Sequence, residues 1–231
     1  MNSQTNVTSS IISRRAAALI AGLSLLAMAV LAGYANFAVL QTLIVPGNAQ
    51  ATANNLAAAT DQFRFGIIGF SIVAILDVIV AWAMYVVLKP INKNLSLVAA
   101  LLRTLYAIVF AFALSSLFNA LQLVGAPNIA ADPIMNSIAA FQRSWDIALV
   151  IFGIYLILTG YLFFGDRMPK WLGVLLVIAG LGYMIDSLGK FFVPGYNLTL
   201  AAFTFIGEVI LIFWLLWKSA KGFEAQPRKS S

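Results

Sequence analysis

Two lone carboxylates, Asp77 and Glu208, each sit near the middle of an apolar run long enough to cross a bilayer. A charge at the bilayer centre is costly, so an acidic residue there is a candidate for holding a proton, a cation or a polar solute. At the helical rise of 1.5 Å per residue, both lie roughly 15–16 Å from a membrane surface, on different helices. Arg103, about six residues into the third run and so roughly 9 Å deep, is the candidate counter-ion. Its long side chain can reach towards the midplane or snorkel back to the interface. Thr204 precedes Glu208 by one helical turn and is placed to hydrogen-bond it.

A second polar set belongs to the outer third of the membrane. Arg143 and Asp146 are spaced i,i+3, and Asp186 and Lys190 i,i+4 with the acid first, the better order. Arg64, Asn119 and Tyr183 are expected to join that layer and form a mixed-charge mouth above the midplane acids. For both sets the competing reading is structural: polar groups that hold helices together without chemistry.

These residues need elements to position them, and the composition says which. Hydrophobic residues make up 62% of the 231, charged residues only 10%, against about 25% charged in a soluble domain. Mean hydropathy is +0.95. Six runs reach the roughly 20 residues that a spanning helix needs, at about 16–40, 66–88, 97–123, 145–164, 171–189 and 199–217. Open sheet would leave backbone groups unpaired in lipid, and the runs lack the alternation of barrel strands. The charged runs should still insert. Thirteen Ile, Leu, Val or Phe residues between Gly66 and Leu88 outweigh Asp77, at about −0.3 to −0.6 kcal/mol each against roughly +3.

The expected fold is therefore an all-α membrane protein, a bundle of six transmembrane helices over 16–217. A cytoplasmic tail (1–15) precedes it and a basic cytoplasmic tail (218–231) follows it. Lys and Arg set the orientation. With both termini cytoplasmic, the inner side receives Arg14, Arg15, Lys89, Lys93, Arg103, Arg167, Lys170, Lys218, Lys221, Arg228 and Lys229. The outer side receives Arg64, Arg143 and Lys190. Trp82, Tyr85, Trp171, Trp214 and Trp217 are expected in the inner aromatic belt, and Tyr34, Trp145, Phe191, Phe192 and Tyr196 in the outer one. The first apolar run outlasts the core of a signal peptide and reads as an uncleaved helix. Ser96 is the expected cap of the third helix. Asp132-Pro133 reads as a cap followed by a first-turn proline, and Pro169 as a first-turn proline. The stretch 41–65 has room for another short helix.

Cysteine and histidine are both absent. That removes disulfides, thiolate nucleophiles, cysteine-ligated iron–sulfur clusters, His-ligated haem and catalytic His triads. It also argues against zinc, and no cofactor or metal is expected. The net charge of +6 fits basic residues facing anionic lipid, not nucleic acid, since no basic stripe carries interleaved aromatics. The expected partners are the lipid bilayer and a small polar solute, proton or cation. Oligomeric state is not legible.

The order of short motifs resembles a bacterial integral membrane family catalogued as domain of unknown function 4386. The matching pieces run over about 14–219. They are Arg14-Arg15-Ala16-Ala17, Phe63-Arg64, Asp77, Lys89-Pro90-Ile91-Asn92, Leu102-Arg103, Gly160-Tyr161-Leu162, Pro169-Lys170-Trp171-Leu172-Gly173, Gly182-Tyr183-Met184-Ile185-Asp186, and Gly207-Glu208 leading to Trp214-Leu215. The resemblance implies a multi-pass protein of a bacterial cytoplasmic membrane and supplies no activity.

Three functions compete on the residues alone. The midplane acids fit a small-solute or proton/ion-coupled transporter. The absence of a nucleotide loop or soluble domain fits a non-catalytic binding, sensing or accessory protein. An enzyme acting on a lipid-like substrate would need acid/base or metal chemistry from two carboxylates without His or Cys, and the chain is expected not to be one.

Overall fold

The computed structural model describes residues 12–124, 126, 131–165 and 168–223. Arg167, Arg228 and Lys229, assigned above to the inner side, lie outside them. Six helices are long and apolar enough to cross a membrane. They are α1 (Arg14–Leu43), α3 (Thr60–Leu88), α4 (Lys93–Val124), α5 (Ala131–Leu162), α6 (Lys170–Phe192) and α7 (Ala201–Lys221). A short helix, α2 (Ala49–Ala58), lies in the first connection, where polar sequence leaves room for one. No strand occurs among the described residues.

Local chemistry sets the helix ends. Ser13 Oγ accepts from Ala16 N and opens α1, satisfying a donor that the first turn leaves orphaned. Lys89-Pro90 ends α3, because proline offers no N–H to the ladder. The cap of α4 is Asn92, whose Oδ1 accepts from Leu95 N at 3.0 Å. Ser96 sits inside the helix instead and donates its hydroxyl to Asn92 C=O at 2.7 Å. The helix thus begins at Lys93, four residues before the expected 97. Asp132 and Pro133 lie within the first turn of α5, which starts at Ala131 and runs unbroken through the fourth span. Pro169 is the cap of α6 instead of its first residue.

Two spans are irregular. Within α1, Tyr34–Leu40 is π-helical. In that stretch the Ala38 carbonyl accepts from Thr42 Oγ1 at 2.6 Å and Gln62 Nε2 at 2.7 Å. The last span divides at Phe205 into Ala201–Thr204 and Ile206–Lys221.

Each span packs on its neighbours in sequence, and α1 closes the ring against α7. Arg14 Nε donates to Val87 C=O at 2.8 Å, and Arg15 donates to Ser219 and Ala220 C=O at 3.1 and 2.6 Å. These bonds put the start of α1 beside the ends of α3 and α7, so both ends of the bundle lie on one face, hereafter the terminal face. Trp82, Trp171 and Trp217 are exposed, as belt residues should be. Trp145 departs from the belt, and Trp214 stays near the terminal face but is buried. Trp145 packs with Phe70, Phe110 and Phe141 inside the ring, and Trp214 on Phe163. Interior aromatic contact outweighs the headgroup preference at Trp145.

The tightest seam joins α5 to α6. A Cβ added at Gly153 would lie 2.6 Å from Gly180 C=O, and one at Gly180 would lie 2.5 Å from Gly153 C=O. Gly160 and Gly173 repeat this reciprocity one heptad away, at 2.6 and 2.7 Å. The two backbones touch because small residues permit it, the usual device where lipid supplies no hydrophobic drive. Gly153→Ala should therefore destabilise the bundle by about 1–3 kcal/mol through overpacking. Gly33→Ala, helical with open space around it, should not. Unfolding midpoints in detergent check both, and equal midpoints would remove the seam.

Candidate functional site

The early start of α4 decides where Arg103 sits. Asp77 lies eleven residues before the end of α3 at Leu88, and Arg103 ten after the start of α4 at Lys93. A short turn joins those ends, so at 1.5 Å per residue both side chains stand roughly 15–16 Å above the terminal face. A helix starting at the expected 97 would put Arg103 only roughly 9 Å deep.

Arg103 does not anchor at the inner interface. Its Nη2 donates to Asp77 Oδ1 at 2.6 Å, and both side chains are almost wholly buried, 2% and 1% exposed. Its Nη1 donates to the Tyr155 hydroxyl of α5 at 3.2 Å. The rings of Phe152 and Tyr155 flank the guanidinium, with centroids 5.3 and 5.0 Å from its carbon, within cation–π range. Three spans thus meet on one arginine. On the side away from the terminal face, Phe70, Phe110, Phe141 and Trp145 form an aromatic cluster with centroid separations of 5.4 to 6.4 Å. It covers the pair from that direction.

Glu208 is not part of the ion pair. It lies on α7, near Tyr183 of α6, whose ring packs edge-on against Phe152 at 5.4 Å. Tyr183 therefore belongs to the interior, not to the outer layer. Phe152 contacts both groups, with Arg103 over its ring at 5.3 Å and Tyr183 edge-on at 5.4 Å. Thr204 does not bond Glu208, because the break at Phe205 falls between them. Thr204 Oγ1 and Glu208 Oε1 are both buried without a hydrogen-bond partner, as are Asp77 Oδ2 and Arg103 Nε.

The outer residues pair differently from their sequence spacing. Lys190 reaches across to Asp146 on α5 at 2.7 Å, not back to Asp186. Asp186 accepts from the Tyr196 hydroxyl and from Ala201 N, both at 2.7 Å. It therefore caps the last span, whose orphan N–H groups compete successfully for a nearby carboxylate. Arg143 is exposed, and no ion pair includes it among the described residues. Arg64 pairs with Asp61, one turn earlier on the exposed surface, and Asn119 Nδ2 donates to Ser137 Oγ at 2.8 Å. These contacts do not form one mouth.

Sequence reasoning missed Tyr155, Phe152 and Tyr106. The stacking of Tyr106 on Phe110 and its 4.8 Å approach to Phe152 complete the wall around Arg103. A signal existed, since Tyr155 carries a hydroxyl into an apolar span where a buried arginine needs an acceptor. Among the described residues no three acidic side chains converge as metal ligands would.

The family model described as domain of unknown function DUF4386 matches residues 20–219. An uncharacterized protein of Archaeoglobus fulgidus is 37% identical over 158 residues, 68% of this chain and 85% of that protein. No solved structure matches. The chain belongs to the DUF4386 family, and its similarity extends to an archaeal protein, beyond the bacterial setting expected from the motifs.

Breaking the Asp77–Arg103 pair from one side leaves a buried charge uncompensated. Arg103→Leu or Asp77→Leu alone should cost about 3–5 kcal/mol, and the double variant should recover most of that loss. A double-mutant cycle on unfolding in mixed micelles reads the coupling. Additive losses would show that the two side chains do not pair.

Proposed function

We propose that this DUF4386 protein is a small-solute or proton/ion-coupled transporter of the cytoplasmic membrane, with both termini on the inner side. The observation that carries the reading is the charge arrangement inside the ring. A paired Asp77–Arg103 lies on α3 and α4, and a separate carboxyl, Glu208, lies on a discontinuous last span. Ionisable groups at that depth are expensive and are typical of ion and proton pathways. Broken helices commonly line transport sites, because they release backbone polarity inside a protein-lined space.

Orientation rests on the basic residues. Arg14, Arg15, Lys89, Lys93, Lys170, Lys218 and Lys221 belong to the terminal face, against Arg64, Arg143 and Lys190 at the other, the bias of an inner side. The proposed partners are the bilayer and a small polar solute, proton or cation. The reading assigns no catalytic role and no nucleic acid partner.

A second reading has one observation in its favour. Asp77, Arg103 and Tyr155 satisfy one another across three spans, as a purely structural clasp in a non-catalytic sensing or accessory protein would.

Proton flux separates the two. Protein reconstituted in vesicles with an internal pH-sensitive dye is driven by a potassium diffusion potential. Transport predicts a wild-type flux above that of empty vesicles, and a fall of about tenfold or more in Glu208→Gln, which removes the charge at similar volume. The variant's unfolding midpoint should stay near wild type. A flux equal to that of empty vesicles, or one unchanged in the variant, would contradict coupling through this residue.

A further inference from the structure

We infer that Glu208 is a reversible proton-binding site, built by the break in the last span, and that Asp77 is not one. The inference rests on the transport reading only for the use of the proton; the site itself is argued from geometry.

The local backbone departs from an α-helix where Glu208 enters. Glu208 N donates to Phe205 C=O at 2.9 Å, three residues back instead of four. A mid-span 3₁₀ step of this kind often marks a functional hinge. Close packing holds the segment in place. A Cβ at Gly207 would meet Leu175 C=O at 2.7 Å, and one at Gly182 would collide with the Thr204 side chain. Glycine at both positions lets the broken span press on α6 and carries Thr204 and Glu208 to the Tyr183 level.

The charges around Glu208 are few. From α6 it meets Tyr183. Across the ring stand Arg103, Asp77 and Tyr106, but Arg103 is already engaged with Asp77 and Tyr155. From α1, the other neighbour of α7, the titratable groups are Tyr34, Arg14 and Arg15. The two arginines are at the terminal face, bound to Val87, Ser219 and Ala220. Among the described residues no ion pair includes Glu208; the side chain is half-buried, with its Oε1 buried and without a partner. A carboxylate with a buried, unpartnered oxygen and no counter-ion relieves its desolvation by taking a proton. The donor set also favours a proton over a metal cation. One carboxyl, the Tyr183 hydroxyl and the unpartnered Thr204 hydroxyl fall short of the six to eight oxygens that calcium takes, and among the described residues no group of three acidic side chains converges there. Asp77, with the guanidinium at 2.6 Å, has its charge matched already.

A carbodiimide reagent tests this without any transported solute, because it modifies protonated carboxyls in apolar surroundings. The full-length protein in detergent or vesicles is treated with dicyclohexylcarbodiimide, and the modified residue is located by mass spectrometry. The expected result is modification at Glu208 that fades as pH rises, with Asp77 unmodified and sodium without effect. The Glu208→Gln variant should lose the label. Modification at Asp77 instead, or at neither residue across the pH range, would overturn the proposal. Protection by sodium at constant pH would also overturn it, by making the site a cation site. Labelled Glu208 in a protein that moves no protons would refute proton coupling and leave the proton site standing.

Discussion

The constraint on which this bundle depends is that a charge placed in lipid must be matched there. Arg103 is fully buried, and its match is Asp77 at 2.6 Å. The desolvation cost of two buried ions is several kcal/mol each, repaid only by close geometry and further hydrogen bonds. Tyr155 supplies one such bond, and the flanking rings supply cation–π attraction. The pair therefore fixes the relative height of α3 and α4, and through Tyr155 it ties α5 to both. The short turn around Lys89-Pro90 and the Asn92 cap are what bring the two charges level.

The other half of the ring is built on different terms. The α5–α6 seam has backbone against backbone at Gly153, Gly160, Gly173 and Gly180, and its one ion pair among the described residues, Asp146–Lys190, is partly exposed. The last span is tied by Asp186 at its start and by Arg15 at its end, and it breaks between them. A rigid, charge-locked side thus faces a side with a hinge-like helix and an unpaired carboxyl. Phe152 is shared by both sides, touching Arg103 and Tyr183. A change at Glu208 has a short packed route to the ion pair through Tyr183 and Phe152.

Much of this was legible in the residues. Six apolar runs and the acids within two of them follow from depth and composition alone, and a counter-ion role for Arg103 was one of two readings that the depth left open. What stayed hidden was decided by competition between neighbours. Asn92 outranked Ser96 as a cap and moved Arg103 towards the midplane. Asp186 lay four residues from Lys190 but found the orphan N–H of Ala201, and Lys190 turned to Asp146. Trp145 had the depth of a belt residue, yet three phenylalanines drew it inward. The break at Phe205 carries no proline, and its enabling residues, Gly182 and Gly207, read as ordinary packing positions until the facing helix is in place. Helix spacing along one chain shows which residues share a face; it does not show which neighbour wins a shared partner.

The central claim is that the interior holds one fixed ion pair and one carboxyl that exchanges a proton. Infrared spectra of the reconstituted protein across a pH titration read both carboxyls at once. The account predicts a protonated carboxyl band that disappears in Glu208→Gln, and none that disappears in Asp77→Asn, because Asp77 remains a carboxylate beside Arg103. A protonated band that vanishes with Asp77 and survives the loss of Glu208 would contradict it.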